Sequence, residues 1–410
     1  MNMMRNYIIV TIFAKLYSYY MKKRLLIIVS RLLQGGIDTI LIEYLKQFDR
    51  DKFCIKLAIG TCMEEQETYI KDVPSDISVN YLVKRHCLVK YRKQKSIKKL
   101  AFLQKAYDET LLSPIRRFIQ KKNLDILIKE SDIVIDFDST FYSFLKDCTV
   151  PKIAFFHFSF KQYHNGKHRK LKRLGRKLEI YDKIVTICEE MQDEGTEMYP
   201  ELKGKFTTIY NAFNFETIKK KALEPLDSPL VDSPYILAVQ RLEETQKDST
   251  TLIKAYKILV EKYAIKERLY IIGEGKSRDE LENLANSLGL EEQIFFLGLQ
   301  VNPYPWIRRS KLFVLSSKFE GFGIVLIEAM SLEKAIVSTN CSTGPTEILD
   351  NGNAGVLVPV GDENSMAEAM HRMLTDTAYK DQMLDGIQRQ LKKFDIKNTI
   401  QQIEELILGL

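Results

Sequence analysis

The chain has 410 residues, 45% of them hydrophobic, and carries a net charge of +7. At roughly 100–200 residues per domain, that length predicts two or three domains, each with apolar material for its own core. Six scattered cysteines without a Cys-x-x-Cys pair exclude a disulfide framework or a zinc knuckle and fit a reducing compartment.

The charge is unevenly spread. Residues 1–220 hold 40 Lys and Arg against 26 Asp and Glu, whereas residues 221–410 hold 21 against 28. A basic half implies an anionic partner: a phosphorylated substrate, a membrane surface or nucleic acid. No recognised nucleic-acid module accompanies the charge, so nucleic acid is not expected.

Residues 1–20 are apolar only from Tyr7 to Ala14, far short of the roughly 20 residues that span a bilayer, and no small-residue cleavage site follows. They read as an uncertain N-terminal extension, with an interfacial anchor as the other option. A domain over 21–223 then opens with a strand at Leu25–Val29, followed by Gln34-Gly35-Gly36. The next helix has apolar residues at Ile37, Ile40, Leu41, Tyr44 and Leu45, the pattern of a helix laid on a sheet. Further strands are expected at Cys54–Ile59, Ile77–Val79, Ile133–Ile135 and Ile153–Phe156, and a last one in the segment beginning at Thr207. Strands alternating with helices predict a parallel, doubly wound α/β sheet, with ligands beyond the carboxyl ends of its strands. Gly35, Gly36, Asp136-Phe137-Asp138 and His157 fall at such ends.

Two basic stretches stand out. Lys84 to Lys99 holds eight Lys or Arg, and Lys167 to Lys183 places Leu171, Leu174 and Leu178 at helical spacing among cations. Each is either a solvated helix face or a surface for anionic lipid, worth about 1 kcal/mol per cation near the bilayer.

Residues 224–234, with Pro225, Pro229 and Pro234, read as a stiff linker. A second domain over 235–385 follows, with strands at Tyr235–Val239, Leu269–Ile272, Ile294–Phe296, Leu312–Leu315, Ala335–Ser338 and Gly355–Val358. Helices are expected at Leu252–Tyr263 and Arg278–Leu288. Residues 386–410 form a helical segment expected to pack back on the first domain.

The motif that organises the second domain is Ser316 to Glu328. A buried strand leads into Glu320-Gly321-Phe322-Gly323, and a helix starts at Ile324. Free amides at a helix N-terminus favour a phosphate, and glycines let the backbone approach it. Two carboxylates beside that cradle, Glu320 and Glu328, suit a polyol, because each can accept two hydroxyl hydrogen bonds. Arg241 and Lys247, six apart after Tyr235–Val239, can converge on one diphosphate. A nucleotide-sugar offers that combination, a diphosphate between hydroxylated rings.

In this order Gly35-Gly36, Arg241, Lys247, Gly273-Glu274-Gly275, Glu320-x7-Glu328, Thr343-Gly344-Pro345-Thr346-Glu347-Ile348, Gly355 to Val358 and Asp362 resemble the retaining glycosyltransferases of family 4, group 1. The resemblance covers residues 21–385 and is strongest in the second domain. It implies the GT-B fold, two Rossmann-like domains facing across a cleft. It also implies a diphosphate held by Arg241 and Lys247, Glu320 on the donor sugar and Glu328 on the ribose. Gly35, Gly36, Gly321, Phe322, Gly323 and Ile324 then line the nucleotide-sugar site. His157 is either structural or touches the donor sugar or acceptor.

Some look-alikes are set aside. Asp136-x-Asp138 imitates a metal-binding pair of another glycosyltransferase fold, but the resemblance implies no metal. Gly275-Lys276-Ser277 lacks the P-loop glycine, with Tyr270 in its place. His164-x3-His168 has zinc-like spacing without a third ligand. The expectation is a metal-independent transferase without a bound cofactor, using a nucleotide-sugar co-substrate (UDP by family habit). Its acceptor would be a glycan or lipid-linked molecule of bacterial surface polysaccharide or lipopolysaccharide synthesis. It would sit peripherally on the anionic inner face of the cytoplasmic membrane. A nucleotide-sugar epimerase of the same fold and a catalytically silent binding subunit are the alternatives.

Overall fold

The computed structural model describes residues 22–33, 36–63, 66–97, 100–161, 163 and 167–410. The N-terminal extension, Gly35 and His164 lie outside the described residues. The chain divides into two compact units. The first comprises residues 1–187, 192–209 and 399–410, and the second residues 188–191 and 210–398. The proline-bearing segment 224–234 therefore lies inside the second unit, and the end of the last helix, Ile396–Leu408, lies in the first.

The first unit is a seven-stranded sheet in the order β3-β2-β1-β4-β5-β6-β7. Its strands are β1 (Lys23–Val29), β2 (Phe53–Ile59), β3 (Ser78–Tyr81), β4 (Ile133–Asp136), β5 (Lys152–Phe156), β6 (Lys183–Thr186) and β7 (Phe206–Thr208). All neighbours pair in parallel. Helices cover both faces of such a sheet, so its strands must be apolar on both sides. Leu25 to Val29 and all of β4 and β5 are buried accordingly. The helix Gly36–Gln47 buries Ile40, Leu41, Ile42, Tyr44 and Leu45. At the far end, Lys23 donates to the Ile407 carbonyl and Lys52 pairs with Glu404 at 2.9 Å, tying in the last helix.

The second unit is a six-stranded parallel sheet in the order β10-β9-β8-β11-β12-β13. The strands are β8 (Tyr235–Val239), β9 (Arg268–Ile272), β10 (Ile294–Gly298), β11 (Leu312–Leu315), β12 (Ile336–Thr339) and β13 (Val356–Val358). Its core joins the sheet to the helices Ser249–Tyr263 and Glu363–Thr375 through Tyr256, Leu259, Met366 and Met370. Asp362 and Asp376 cap their helices by accepting from the amides of Ser365 and Tyr379, both at 2.9 Å. In each sheet the strand order reverses once, between β1 and β4 and between β8 and β11. Ligands of doubly wound sheets bind at such switch points.

The basic helix His168–Leu178 is corrected by the structure. Its Leu174 and Leu178 are buried, Leu171 is half-buried, and Tyr199 donates to the Leu171 carbonyl at 2.8 Å. A Cβ at Gly175 would lie 2.7 Å from the Tyr199 ring. The leucine stripe is core, so it presents no apolar face to lipid. The other basic stretch forms the helix His86–Ile97, whose Leu88 and Val89 pack with Val83 and Leu112. Among the described residues, no helix is long and apolar enough to cross a membrane.

Candidate active site

The switch point of the second unit gathers most of the residues singled out in the sequence. The β8 exit loop carries Arg241 and Lys247, and the β11 exit carries Glu320 to Ile324. The two loops are zipped together. Lys247 and Ser317 form an antiparallel bridge, Asp248 donates its amide to the Ser316 carbonyl at 3.0 Å, and Lys318 donates to Gln246 at 2.8 Å. Arg241 is exposed.

Lys247 differs sharply. It is 7% exposed, and its ammonium is ion-paired with Glu320, which is equally buried. Ser317 also donates to Glu320 Oε1, at 2.5 Å. An ion pair that is both buried and hydrogen-bonded holds each partner in one geometry. The sequence had placed both residues beside the ligand without revealing that they bind each other. Burial and the Glu320 charge push the neighbouring Cys341 thiol up to about 12, so it stays protonated.

Gly323 sits at φ +87°, the left-handed region, and opens the helix Ile324–Ser331. The first helical hydrogen bond runs from Leu326 to the Gly323 carbonyl at 2.9 Å, leaving the amides of Ile324 and Val325 ahead of it. One turn on, Glu328 is half-buried and accepts from the Tyr304 hydroxyl at 2.9 Å. Desolvation raises its carboxyl to about 7, against the opposing effects of Tyr304 and Lys221. No sequence signal pointed to Tyr304, which reaches Glu328 from the short helix Tyr304–Arg309.

Two glycine loops shape the site from behind. A Cβ at Gly273 would lie 1.9 Å from the Gln240 carbonyl oxygen, and one at Gly275 would lie 2.2 Å from that of Leu242. This pair therefore clears backbone on either side of Arg241. Gly344, at φ +110°, lies beneath Phe322, with its Cβ position 1.9 Å from the Phe322 carbonyl oxygen. In the same segment Glu347 accepts from the amide of Glu189 at 3.0 Å and from the hydroxyl of Tyr210. Tyr210, in turn, packs its ring near Phe322 and Phe394.

Gly36 and His157 belong to the first unit. Gly36 begins the helix after β1 and is exposed. His157, just past β5, is 4% exposed, and its Nε2 lies 2.7 Å from the Phe137 carbonyl. That carbonyl can only accept, so Nε2 carries the proton and donates. Nδ1 is then a lone-pair acceptor, and it is buried without a partner. Desolvation lowers the ring to about 4, so His157 is neutral at pH 7. Asp136 is fully buried. It accepts from the amides of Thr140 and Phe141 and from the Tyr181 hydroxyl, and burial raises its carboxyl to about 7. Asp138 accepts from the Ser30 amide and the Thr140 hydroxyl. The pair thus braces the β4 turn. Among the described residues, no group of three His, Cys, Asp or Glu could hold a metal ion.

Residues 221–390 match the family model of glycosyl transferases group 1. The second unit is a group 1 glycosyltransferase domain. The chain is 29% identical over 284 residues to an uncharacterized glycosyltransferase of Methanocaldococcus jannaschii, covering 61% of this chain and 69% of that protein. It is 37% identical over 205 residues to a Campylobacter jejuni N-acetylgalactosaminyltransferase named for a diphospho-undecaprenol-linked acceptor. It is 31% identical over 199 residues to the lipopolysaccharide core biosynthesis glycosyltransferase LpsE of Rhizobium meliloti. Those two alignments cover 50% and 48% of this chain, and the chain spans about half of each relative, 54% in both cases. The fold is GT-B. Anabaena HepE in complex with UDP and glucose superposes with a TM-score of 0.71 at 18% identity, covering 95% of this chain and 100% of that one. The galactosyltransferase WaaB superposes at 0.68 and 19% identity, covering 94% and 99%.

Proposed function

We propose that this chain is a retaining glycosyltransferase of family 4. It moves a hexosyl group from a UDP-sugar to a lipid-linked or glycan acceptor in lipopolysaccharide or surface polysaccharide synthesis. It does so without a metal or bound cofactor, as a peripheral protein on the inner face of the cytoplasmic membrane. The observation that carries the reading is the convergence of Arg241, the Lys247–Glu320 pair and the Gly323–Ile324 helix start at one switch point. The Campylobacter and Rhizobium relatives support the acceptor class, and the HepE complex supports UDP.

In this reading the diphosphate lies against Arg241, Lys247 and the amides of Ile324 and Val325. The bond from the sugar C1 to the phosphate oxygen breaks through an oxocarbenium-like state. The acceptor oxygen bonds to C1 on the same face, and its proton passes to the departing phosphate. Fixed cations and amides stabilise the charge that grows there. Glu320 accepts from donor-sugar hydroxyls while holding Lys247, and Glu328 accepts from the ribose.

A panel of nucleotide-sugars tested against thermal unfolding checks the donor. At a hundredfold excess over Kd, the right one stabilises by about 2.7 kcal/mol. UDP-sugars should raise the melting temperature, and transfer should continue in excess chelator. No shift with any nucleotide-sugar would sink the reading, and activity restored to chelated enzyme only by Mn²⁺ would end its metal-independent part.

Glu328 gives a pH signature. With its carboxyl near 7, the ionised form falls from about nine-tenths at pH 8 to about one-tenth at pH 6. Only the ionised form accepts two hydroxyls, so the donor KM should rise about tenfold as pH drops across that range. Glu328→Gln should show a high KM that no longer changes with pH. An unaltered pH profile in that variant would remove Glu328 from the ribose site.

A further inference from the structure

The helical run from Phe102 to Lys129, with a π-turn at Asp108–Leu112, is built inside out. Its buried side is every fourth residue: Asp108, Leu112, Arg116, Gln120, Leu124 and Ile128. Half of these are polar. Arg116, 1% exposed, donates to Asp108 at 2.6 Å and to the Leu88 carbonyl at 2.8 Å, while Gln120 donates to Gly60 at 2.8 Å. Four other apolar residues point the other way. Leu111, Ile115, Phe118 and Ile126 are all exposed, Phe118 by 71%. At about 100° per residue they fall within an arc of about 80°, opposite the buried side. Phe102 and Leu103, 83% and 78% exposed, begin the same run. A helix on a globular core normally shows the reverse, and exposed apolar side chains gathered on one arc mark a docking face.

Charge selects the occupant. Outside the buried Arg116–Asp108 pair, the run carries Lys105, Arg117, Lys121, Lys122 and Lys129 against only Glu109 and Asp125. The preceding helix His86–Ile97 adds four cations and no acid. A second copy docking by two-fold symmetry would set this cationic face against itself. An anionic bilayer satisfies both features: aromatic and aliphatic tips enter the headgroup boundary while Lys and Arg stems reach the phosphates. We infer that the Leu111–Ile126 face attaches the first unit to an anionic lipid surface. The inference rests on the peripheral location proposed above and assigns that location to this helix, in place of the helix His168–Leu178.

The test is flotation of the full chain with vesicles of phosphatidylcholine alone or with phosphatidylglycerol. Wild type should float with the anionic vesicles and be released by salt. The combined variant Leu111→Ser, Ile115→Ser, Phe118→Ser should partition at least tenfold less, with unchanged melting temperature and unchanged transfer to a soluble acceptor. As a second reading, Phe118→Trp should shift its emission to the blue on adding anionic vesicles, over a constant background from Trp306, which is 4% exposed. Undiminished flotation of the triple variant, or an unshifted Phe118→Trp emission, overturns the assignment to this face while the peripheral location stands. Wild type that ignores both vesicle types overturns face and location together, leaving glycosyl transfer intact. A dimer abolished by the triple variant, without vesicle binding, makes the face a self-association surface and also overturns the inference.

Discussion

Lys247→Ala is expected to lower kcat/KM for the donor by at least about a hundredfold and to lower the melting temperature as well. The first loss follows from removing a fixed cation at the departing phosphate, where a single electrostatic contact is typically worth 10²–10³ in rate. The second follows from the Glu320 carboxylate, which would remain buried without its counter-ion. Removing one partner of a buried pair costs about 3–5 kcal/mol, or roughly 10 °C for a unit of this size. The double variant Lys247→Met, Glu320→Gln separates the two effects. It leaves no uncompensated charge, so the melting temperature should recover while turnover stays low. Arg241→Ala makes the complementary case: the side chain is exposed, so activity should fall without a change in melting temperature. Near-normal turnover in both single variants would remove the diphosphate assignment.

That coupled loss was hidden in the sequence for a physical reason. Strands β1, β4, β5, β8, β9 and β11 were legible because a strand buried on both faces must be a continuous apolar run. The motif residues were legible because phosphate and polyol chemistry needs those side-chain types at the ends of such strands. Pairings between distant loops leave no periodic trace. Lys247 meets Glu320 across 73 positions, and Tyr304 meets Glu328 across 24. The strand β6 escaped because its apolar core is two residues, Ile184 and Val185, directly after a basic helix.

The misread helix and the one the sequence did not single out share a cause. An apolar stripe at 3.6 spacing shows that a helix has an apolar face, but not what covers it. In His168–Leu178 the stripe faces the protein core, and the cations are the solvated side. In Phe102–Lys129 the stripe from Leu111 to Ile126 faces solvent, and the core side mixes Leu112, Leu124 and Ile128 with the Arg116–Asp108 pair and Gln120. Mixed residues on both sides blur the period there, so an exposed apolar face leaves no periodic mark in the sequence.

Gly344→Ala is expected to damage both stability and donor binding, through backbone alone. The Gly344 φ of +110° is strained for any side chain, and an added Cβ would sit 1.9 Å from the Phe322 carbonyl oxygen. Backbone cannot swing aside as a side chain does. The loop bearing Glu320, Gly321 and Gly323 has to lift, against the bridge between Phe319 and Ser342 and the bond from the Glu320 amide to the Ser342 carbonyl at 3.2 Å. Overpacking of about 1–3 kcal/mol and a left-handed cost of about 1–2 kcal/mol should together lower the melting temperature by roughly 5–15 °C. Gly361→Ala is the control, because it shares the positive φ, at +76°, but nothing lies within 4 Å of its Cβ position. It should lose only the conformational part, roughly 2–5 °C, with donor KM unchanged. In Gly344→Ala the donor KM should rise at least about tenfold in the protein that remains folded, since a shift of about 1 Å in a positioning loop is enough to disturb binding geometry. Equal melting temperatures for the two variants would mean that the 343–347 turn yields without moving its neighbour. The Glu320–Gly323 loop would then owe its position to the Lys247 pair alone.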